Sequence, residues 1–179
     1  VTEPVAGSDR RYVHDCVLRW SDLDAYGHVN NARFLTLYEE ARVAMLFAGG
    51  RAAGLDSFAA GMVIRRHEVD YLRPVDYPMS WPDPDRAPTV RIELWVEDLR
   101  AARLTIGYEL FAPAPPTGAA GAAGSAGSAG SADPGLVLAG RARSVLVPYD
   151  LVRQAPRRLS AEERDFLSRY VVEPVRVDG

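Results

Sequence analysis

An α+β fold built on an antiparallel sheet is what the sequence predicts, and three observations predict it. One strand-like stretch is followed by a single long amphipathic helix. From Met62 onward the apolar period changes from that of a helix to two. Two of the later strands are joined by a link short enough for a hairpin.

Residues 12–20 alternate as a strand does, with Val13, Val17 and Arg19 set against Cys16, Leu18 and Trp20. The polar stretch from Ser21 to Val29, with Gly27 as its pivot, reads as a loop. The long helix follows. Phe34, Leu37, Tyr38, Ala41, Met45 and Ala48 fall on one apolar stripe, Asn30 or Asn31 is placed to cap its start, and Gly49-Gly50 is expected to end it. Strands are then expected over 62–73, 89–99, 102–112 and 136–147. In the second of these Val90, Ile92, Leu94 and Val96 oppose Arg91, Glu93 and Glu97. In the third, Leu104, Ile106, Tyr108 and Leu110 share a side. Ser160 with Glu163 has the spacing of a capping box, which predicts a short helix over 160–170.

Residues 113–135 have no apolar side chain larger than alanine and repeat Gly, Ala and Ser. Such a stretch cannot offset its ordering entropy, so a disordered insertion within one domain is expected. The 179 residues therefore read as a single domain over 1–179, with a core of about 12–150.

Composition narrows the partners. The formal net charge is −3, which argues against nucleic acid. No apolar run approaches the roughly 18 residues of a membrane span. The start of the chain lacks the pattern of a signal peptide. The single cysteine, Cys16, excludes an intrachain disulfide. A cytoplasmic location is expected. All 21 basic residues are arginine, the mark of a coding bias that also disfavours asparagine. The only two asparagines, Asn30 and Asn31, are adjacent at the start of the helix.

That point is also where the reactive groups gather. A helix N-terminus offers unpaired N–H groups and partial positive charge, which suits a developing oxyanion. Asp24, His28 and the two amides arrive there together, the inventory of a hydrolytic site. The same residues could instead make turn and capping bonds alone.

The run Asp22-Leu23-Asp24-Ala25-Tyr26-Gly27-His28-Val29-Asn30-Asn31, followed by Phe34, Tyr38, Glu40, Ala41 and Arg42, resembles the hotdog-fold acyl-CoA thioesterases of the 4-hydroxybenzoyl-CoA thioesterase type. Their pattern is Asp-x-Asp-x-x-Gly-His-Val-Asn-Asn, then Tyr or Phe, then Glu-x-Ala-Arg. Val69 to Pro74 is similar to the family's second strand. The resemblance implies an antiparallel sheet wrapped around the central helix, and homodimers or homotetramers with the site between subunits. It implies Asp24 as the catalytic carboxylate, either general base or nucleophile, and the N–H near Asn31 as oxyanion donor. His28 becomes a positioner. Asp22 is expected to be structural.

Glu40 is a second candidate, since some relatives use a helix glutamate, although it flanks the apolar stripe and also reads as a solvated or interface residue. Tyr26, Gly27 and Asn30 are expected against the substrate. The related plant acyl-carrier-protein thioesterases have other residues where this chain has Tyr26 and Gly27, so the water-positioning role stays unassigned. Arg65, Arg66 and Arg73 are the candidates for coenzyme A phosphates. Met62, Trp81, Trp95 and Phe58 could line an acyl pocket or simply pack the core. No cofactor or metal is expected, because His14, His67 and Cys16 lack ligand spacing. The implied activity is hydrolysis of an acyl-CoA to a carboxylic acid and free coenzyme A. Two alternatives are an enoyl-thioester hydratase of the same fold and a non-catalytic acyl-CoA sensor.

Overall fold

The computed structural model describes residues 10–77, 87–114 and 135–172. Five long strands form one antiparallel sheet: β1 (Tyr12–Val17), β2 (Met62–Tyr71), β3 (Thr89–Arg100), β4 (Arg103–Pro113) and β5 (Leu136–Asp150), in the order β1-β3-β4-β5-β2. The two-residue β6 (Ala155–Pro156) pairs with the end of β5. Arg100 faces Arg103 across a two-residue turn, so β3 and β4 form the expected hairpin. Trp81 and nearly all of the Gly/Ala/Ser insertion lie outside the described residues.

The sheet wraps the long helix, α1, which is α-helical over Asn31–Val43. Phe34, Leu37, Tyr38, Ala41 and Met45 are buried against Val90, Ile92, Leu94 and Val96 of β3 and Leu104, Ile106, Tyr108 and Leu110 of β4. The period-two pattern of those strands places these rows on the face that meets the helix. Each large side chain buried this way contributes about 1.5–3 kcal/mol, an upper estimate. A curled antiparallel sheet around one central helix is the hotdog fold.

Three expectations fail at element ends. First, β1 stops at Val17. Leu18 bonds to Pro88 (N···O 2.8 Å), and Trp20–Asp22 then form a 3₁₀ turn closed by the Asp22 carboxylate on the Arg19 N–H (2.8 Å).

Second, the Gly49-Gly50 pair does not end the helix. The chain continues through a π-helical stretch, Ala44–Gly49, and a last α-helical turn, Gly50–Ala52. The wider turn shifts the helical phase, so Leu46 and Gly50 face the core while Ala48 is exposed. Gly50 is there for packing: a Cβ at this position would lie 3.0 Å from the Phe58 ring. The terminator is Gly54, at φ +80°. Its N–H bonds to the Arg51 carbonyl and that of Leu55 to the Gly50 carbonyl, both 2.9 Å, a Schellman closure.

Third, the C-terminal helix, α2 (Ala161–Ser168), ends two residues earlier than expected. Its capping box is present: Ser160 Oγ accepts the Glu163 N–H (3.1 Å) and Glu163 accepts the Ser160 N–H (2.8 Å). Glu163 is fully buried and also takes both ends of the Arg157 guanidinium at 2.7 Å. Burial pushes its carboxyl up, but the Arg157 and Ser160 hydrogen bonds outweigh that and hold it below the usual range. A carboxyl held low contributes stability above its unfolded value, near 4.3, and loses it as the pH falls through the folded value. Glu163→Gln is therefore expected to cost about 2–3 kcal/mol at neutral pH. In urea melts that deficit should shrink toward pH 3.

Candidate active site

The motif loop is a small hairpin. Leu23 pairs with Val29, and the Asp24 N–H bonds to the His28 carbonyl at 2.8 Å. The tip is Ala25-Tyr26-Gly27. The Gly27 N–H closes a turn on the Asp24 carbonyl (3.2 Å), and Gly27 itself sits at φ +82°. A type I turn followed by a left-handed residue is a common three-residue hairpin, and it favours glycine at that place. The Asp24 carboxylate is fixed inside the turn, where Oδ1 accepts the N–H groups of Tyr26 (2.8 Å) and His28 (3.2 Å). The chain after β2 closes on the hairpin's other edge. Val29 donates to the Val75 carbonyl (2.8 Å), and His28 pairs with Asp76.

The hairpin delivers the chain to the start of α1. The Asn30 N–H bonds to the Asp22 carbonyl (2.8 Å), and Asn30 Oδ1 caps the helix by accepting the Ala32 N–H at 2.9 Å. Asp22 is buried and has Arg33 Nε at 3.6 Å, the structural part expected of it. Asn31 is the first helical residue, whose N–H has no acceptor within the helix. The Tyr71 hydroxyl donates to the Asn31 carbonyl (3.1 Å), and its ring meets Phe34 edge-on at 5.2 Å. Asp24 and His28 thus lie on the hairpin that leads into α1, and Tyr71 bonds to the first residue of that helix. Tyr71 and Asp76 were not singled out in the sequence. The only hint of Asp76 is its place two residues after the strand-ending Pro74.

Other candidates fall elsewhere. Tyr26 is 85% exposed at the hairpin tip. Glu40 pairs with Arg19 at 3.3 Å. Counted back from Ala41-Arg42, the glutamate of Glu-x-Ala-Arg is Glu39, which has Arg42 at 3.6 Å. Arg42 is buried and donates to the Tyr108 hydroxyl (3.4 Å). His67 Nδ1 lies 2.8 Å from Ser144 Oγ; burial and the charge of Arg42 push this imidazole below its usual value.

Arg65 and Arg66 sit at a bulge in β2. Six residues separate Arg65 from Tyr71, about 20 Å along a strand, so neither arginine meets the site of its own subunit. Arg73 lies just past Tyr71, its N–H on the Ala139 carbonyl (3.1 Å). Phe58 is core, stacked near Phe166 at 5.6 Å. Trp95 is on the opposite sheet face from Leu94 and Val96, with the Arg11 guanidinium 4.2 Å from its ring centroid. Met62 is half-buried against the core. Cys16 is buried, its thiol 3.5 Å from the Leu37 carbonyl and pushed up to about 12 by that burial.

Comparison with known proteins bears on this geometry. The family model described as the thioesterase-like superfamily matches residues 18–167, which takes in the hairpin, α1, strands β2 to β6 and most of α2. The chain belongs to the thioesterase-like superfamily. That superfamily is broader than the 4-hydroxybenzoyl-CoA type.

No curated protein matches the chain in sequence. Among solved structures, a predicted thioesterase from Bacillus stearothermophilus is 22% identical, with 92% of this chain and 98% of that one covered and a TM-score of 0.63. A 1,4-dihydroxy-2-naphthoyl-CoA thioesterase from Synechocystis is 15% identical, covers 88% and 96%, and has a TM-score of 0.60. A thioesterase complexed with coenzyme A and Zn, from Thermus thermophilus, is 24% identical, covers 87% and 90%, and has a TM-score of 0.57. These likenesses establish the hotdog fold of this superfamily member. No helix among its described residues is long and apolar enough to cross a membrane.

Proposed function

We propose that this superfamily member hydrolyses an acyl-CoA thioester to a carboxylic acid and free coenzyme A. The observation that carries the reading is Asp24, a carboxylate fixed by two backbone N–H groups in the hairpin that leads into α1. Asp24 acts as general base toward water, or adds to the thioester itself. The Asn31 amide holds the developing oxyanion, where a single donor contributes about 2.7–4 kcal/mol. Asn30 shapes that helix end through its cap, and Tyr71 ties it to β2. Glu40 is left to tie α1 to Arg19. The coenzyme A found with the Thermus thermophilus thioesterase supports the choice of thiol carrier.

A homodimer or homotetramer completes the proposal. Among the described residues β2 is a sheet edge, with Val63 and Tyr71 exposed along it and Leu72 just past it, and the helix leaves Leu35, Val43 and Phe47 exposed. A second copy would cover both and could bring its Arg65 and Arg66 to this site.

The test is release of free thiol from acetyl-, octanoyl- and benzoyl-CoA, with the same acyl groups on acyl-carrier protein in parallel. Release from at least one CoA ester, faster than from its carrier-protein counterpart, is the expected outcome. Tight binding of the esters with no thiol released from any would overturn hydrolysis in favour of a sensor. Faster release from the carrier protein would move the substrate class.

A further inference from the structure

Isolated antiparallel bridges join the two arms of the hairpin and tie it to the segment after β2, and they fix which side chains stand together. Leu23 faces Val29, so Asp24 faces His28 one step on, with the Asp24 N–H on the His28 carbonyl at 2.8 Å. His28 in turn faces Asp76. Directly opposite residues of an antiparallel ladder project to the same face with their Cβ atoms about 4.5–5.5 Å apart. Asp24, His28 and Asp76 are therefore one row, with the imidazole between two carboxylates. The Asp24 carboxylate is turned onto its own hairpin through Oδ1. On the other side, His28 Nε2 lies 3.5 Å from Asp76 Oδ1.

We propose that Asp76 is the positioning residue of His28, and that this pair supplies the proton taken up by the departing thiolate. The inference rests on the thioesterase reading of the same site. Asp76 favours the form of the imidazole that carries hydrogen on Nε2, which leaves Nδ1 as the nitrogen that exchanges a proton with the reaction. In the general-base route, water's oxygen bonds to the acyl carbon as one of its protons passes to Asp24. Asp24 hands that proton to His28 Nδ1, and as the C–S bond breaks with its electron pair on sulfur, sulfur takes the proton from Nδ1. Asp24 and the neutral imidazole are thereby restored, and the net products are the acid and the free thiol.

Asp76 is an exposed residue whose side chain pairs, among the described residues, with a half-exposed histidine, and such pairs contribute little to stability. Its backbone pairing with His28 survives any side-chain change. The carboxylate is therefore separable from the fold.

The experiment compares the wild-type chain with Asp76→Asn and Asp76→Glu. Asp76→Asn is expected to lower kcat for benzoyl-CoA about tenfold with KM little changed, a modest share of what a positioned proton donor supplies. Asp76→Glu should recover most of it. The deficit should vanish for the benzoyl ester of thiophenol, whose thiolate leaves without protonation; a merely structural defect would persist with both leaving groups.

Nitrogen-15 NMR gives a readout that does not need turnover. With His28 assigned by comparison with His28→Gln, the wild-type ring should show hydrogen on Nε2, and Asp76→Asn should shift it toward a mixture of tautomers. Unchanged kcat in Asp76→Asn together with an unchanged tautomer would overturn the inference. If Asp24→Asn abolishes hydrolysis while Asp76→Asn does nothing, the thioesterase reading stands and this inference falls. If the wild-type chain hydrolyses no thioester, the catalytic half falls with that reading, and the tautomer still decides the positioning half.

Discussion

Asn31→Pro should leave the chain folded and lower kcat by about 10²–10³. Asn31 is the first residue of α1, where proline is the one substitution that deletes a backbone N–H without breaking the helix. Its fixed φ is already that of a first helical turn, and the missing hydrogen had no helical acceptor to lose. The residue before it is compatible as well. Asn30 stands at φ −58° and ψ 138°, the extended region that proline imposes on its predecessor. The cap on Ala32 and the bond from the Arg33 N–H to the Asn30 carbonyl (2.8 Å) do not involve the deleted group.

Asn31→Ala is the companion variant, since it keeps the N–H and removes the side chain. If the amide holds the oxyanion, alanine should retain most of the turnover that proline loses. The loss should fall on kcat, because the interaction strengthens only as charge develops on the carbonyl oxygen. Equal losses in both variants would assign the effect to the asparagine side chain. No loss in a proline variant with native circular dichroism and unfolding midpoint would remove the amide from the mechanism.

The sequence was most informative where a pattern ran long. The period-two rows of β3 and β4 and the apolar stripe from Phe34 to Met45 are all buried as their spacing requires. The Ser160–Glu163 spacing marked the start of α2. Element ends were harder, because tertiary contacts decide them. The glycine pair in α1 looked like a stop, but Gly50 serves to admit the Phe58 ring, and the π-helical stretch before it carries no residue signature. Gly54, five residues past Gly49, is where the carbonyls are actually satisfied.

The candidate site divides the same way. Asp24, His28, Asn30 and Asn31 are consecutive enough that one loop had to bring them together. Tyr71 and Asp76 come from the far side of β2, about forty-five residues on, and only the closure of that strand onto the hairpin delivers them. Arg65 and Arg66 show the converse within one subunit. They belong to the same strand as Tyr71, and a strand's rise per residue is large enough to put its two ends in different neighbourhoods. Glu163 was legible as a cap but not as a buried partner of Arg157, since that pairing depends on how α2 docks.

Asp24→Asn tests the central claim most directly. Asparagine keeps Oδ1, so the bonds from the Tyr26 and His28 N–H groups and the hairpin itself can persist. What it removes is the carboxylate's capacity to take water's proton or to attack the thioester, a contribution of about 10²–10⁴ in rate for proton transfer alone. The measurement is thiol release from the best CoA ester by wild type and variant at matched concentration, alongside binding of the same ester by calorimetry. A fall in kcat of at least about a hundredfold, with binding and unfolding midpoint retained, is the predicted result. Hydrolysis continuing at the wild-type rate in the variant would contradict the account and place the catalytic carboxylate elsewhere.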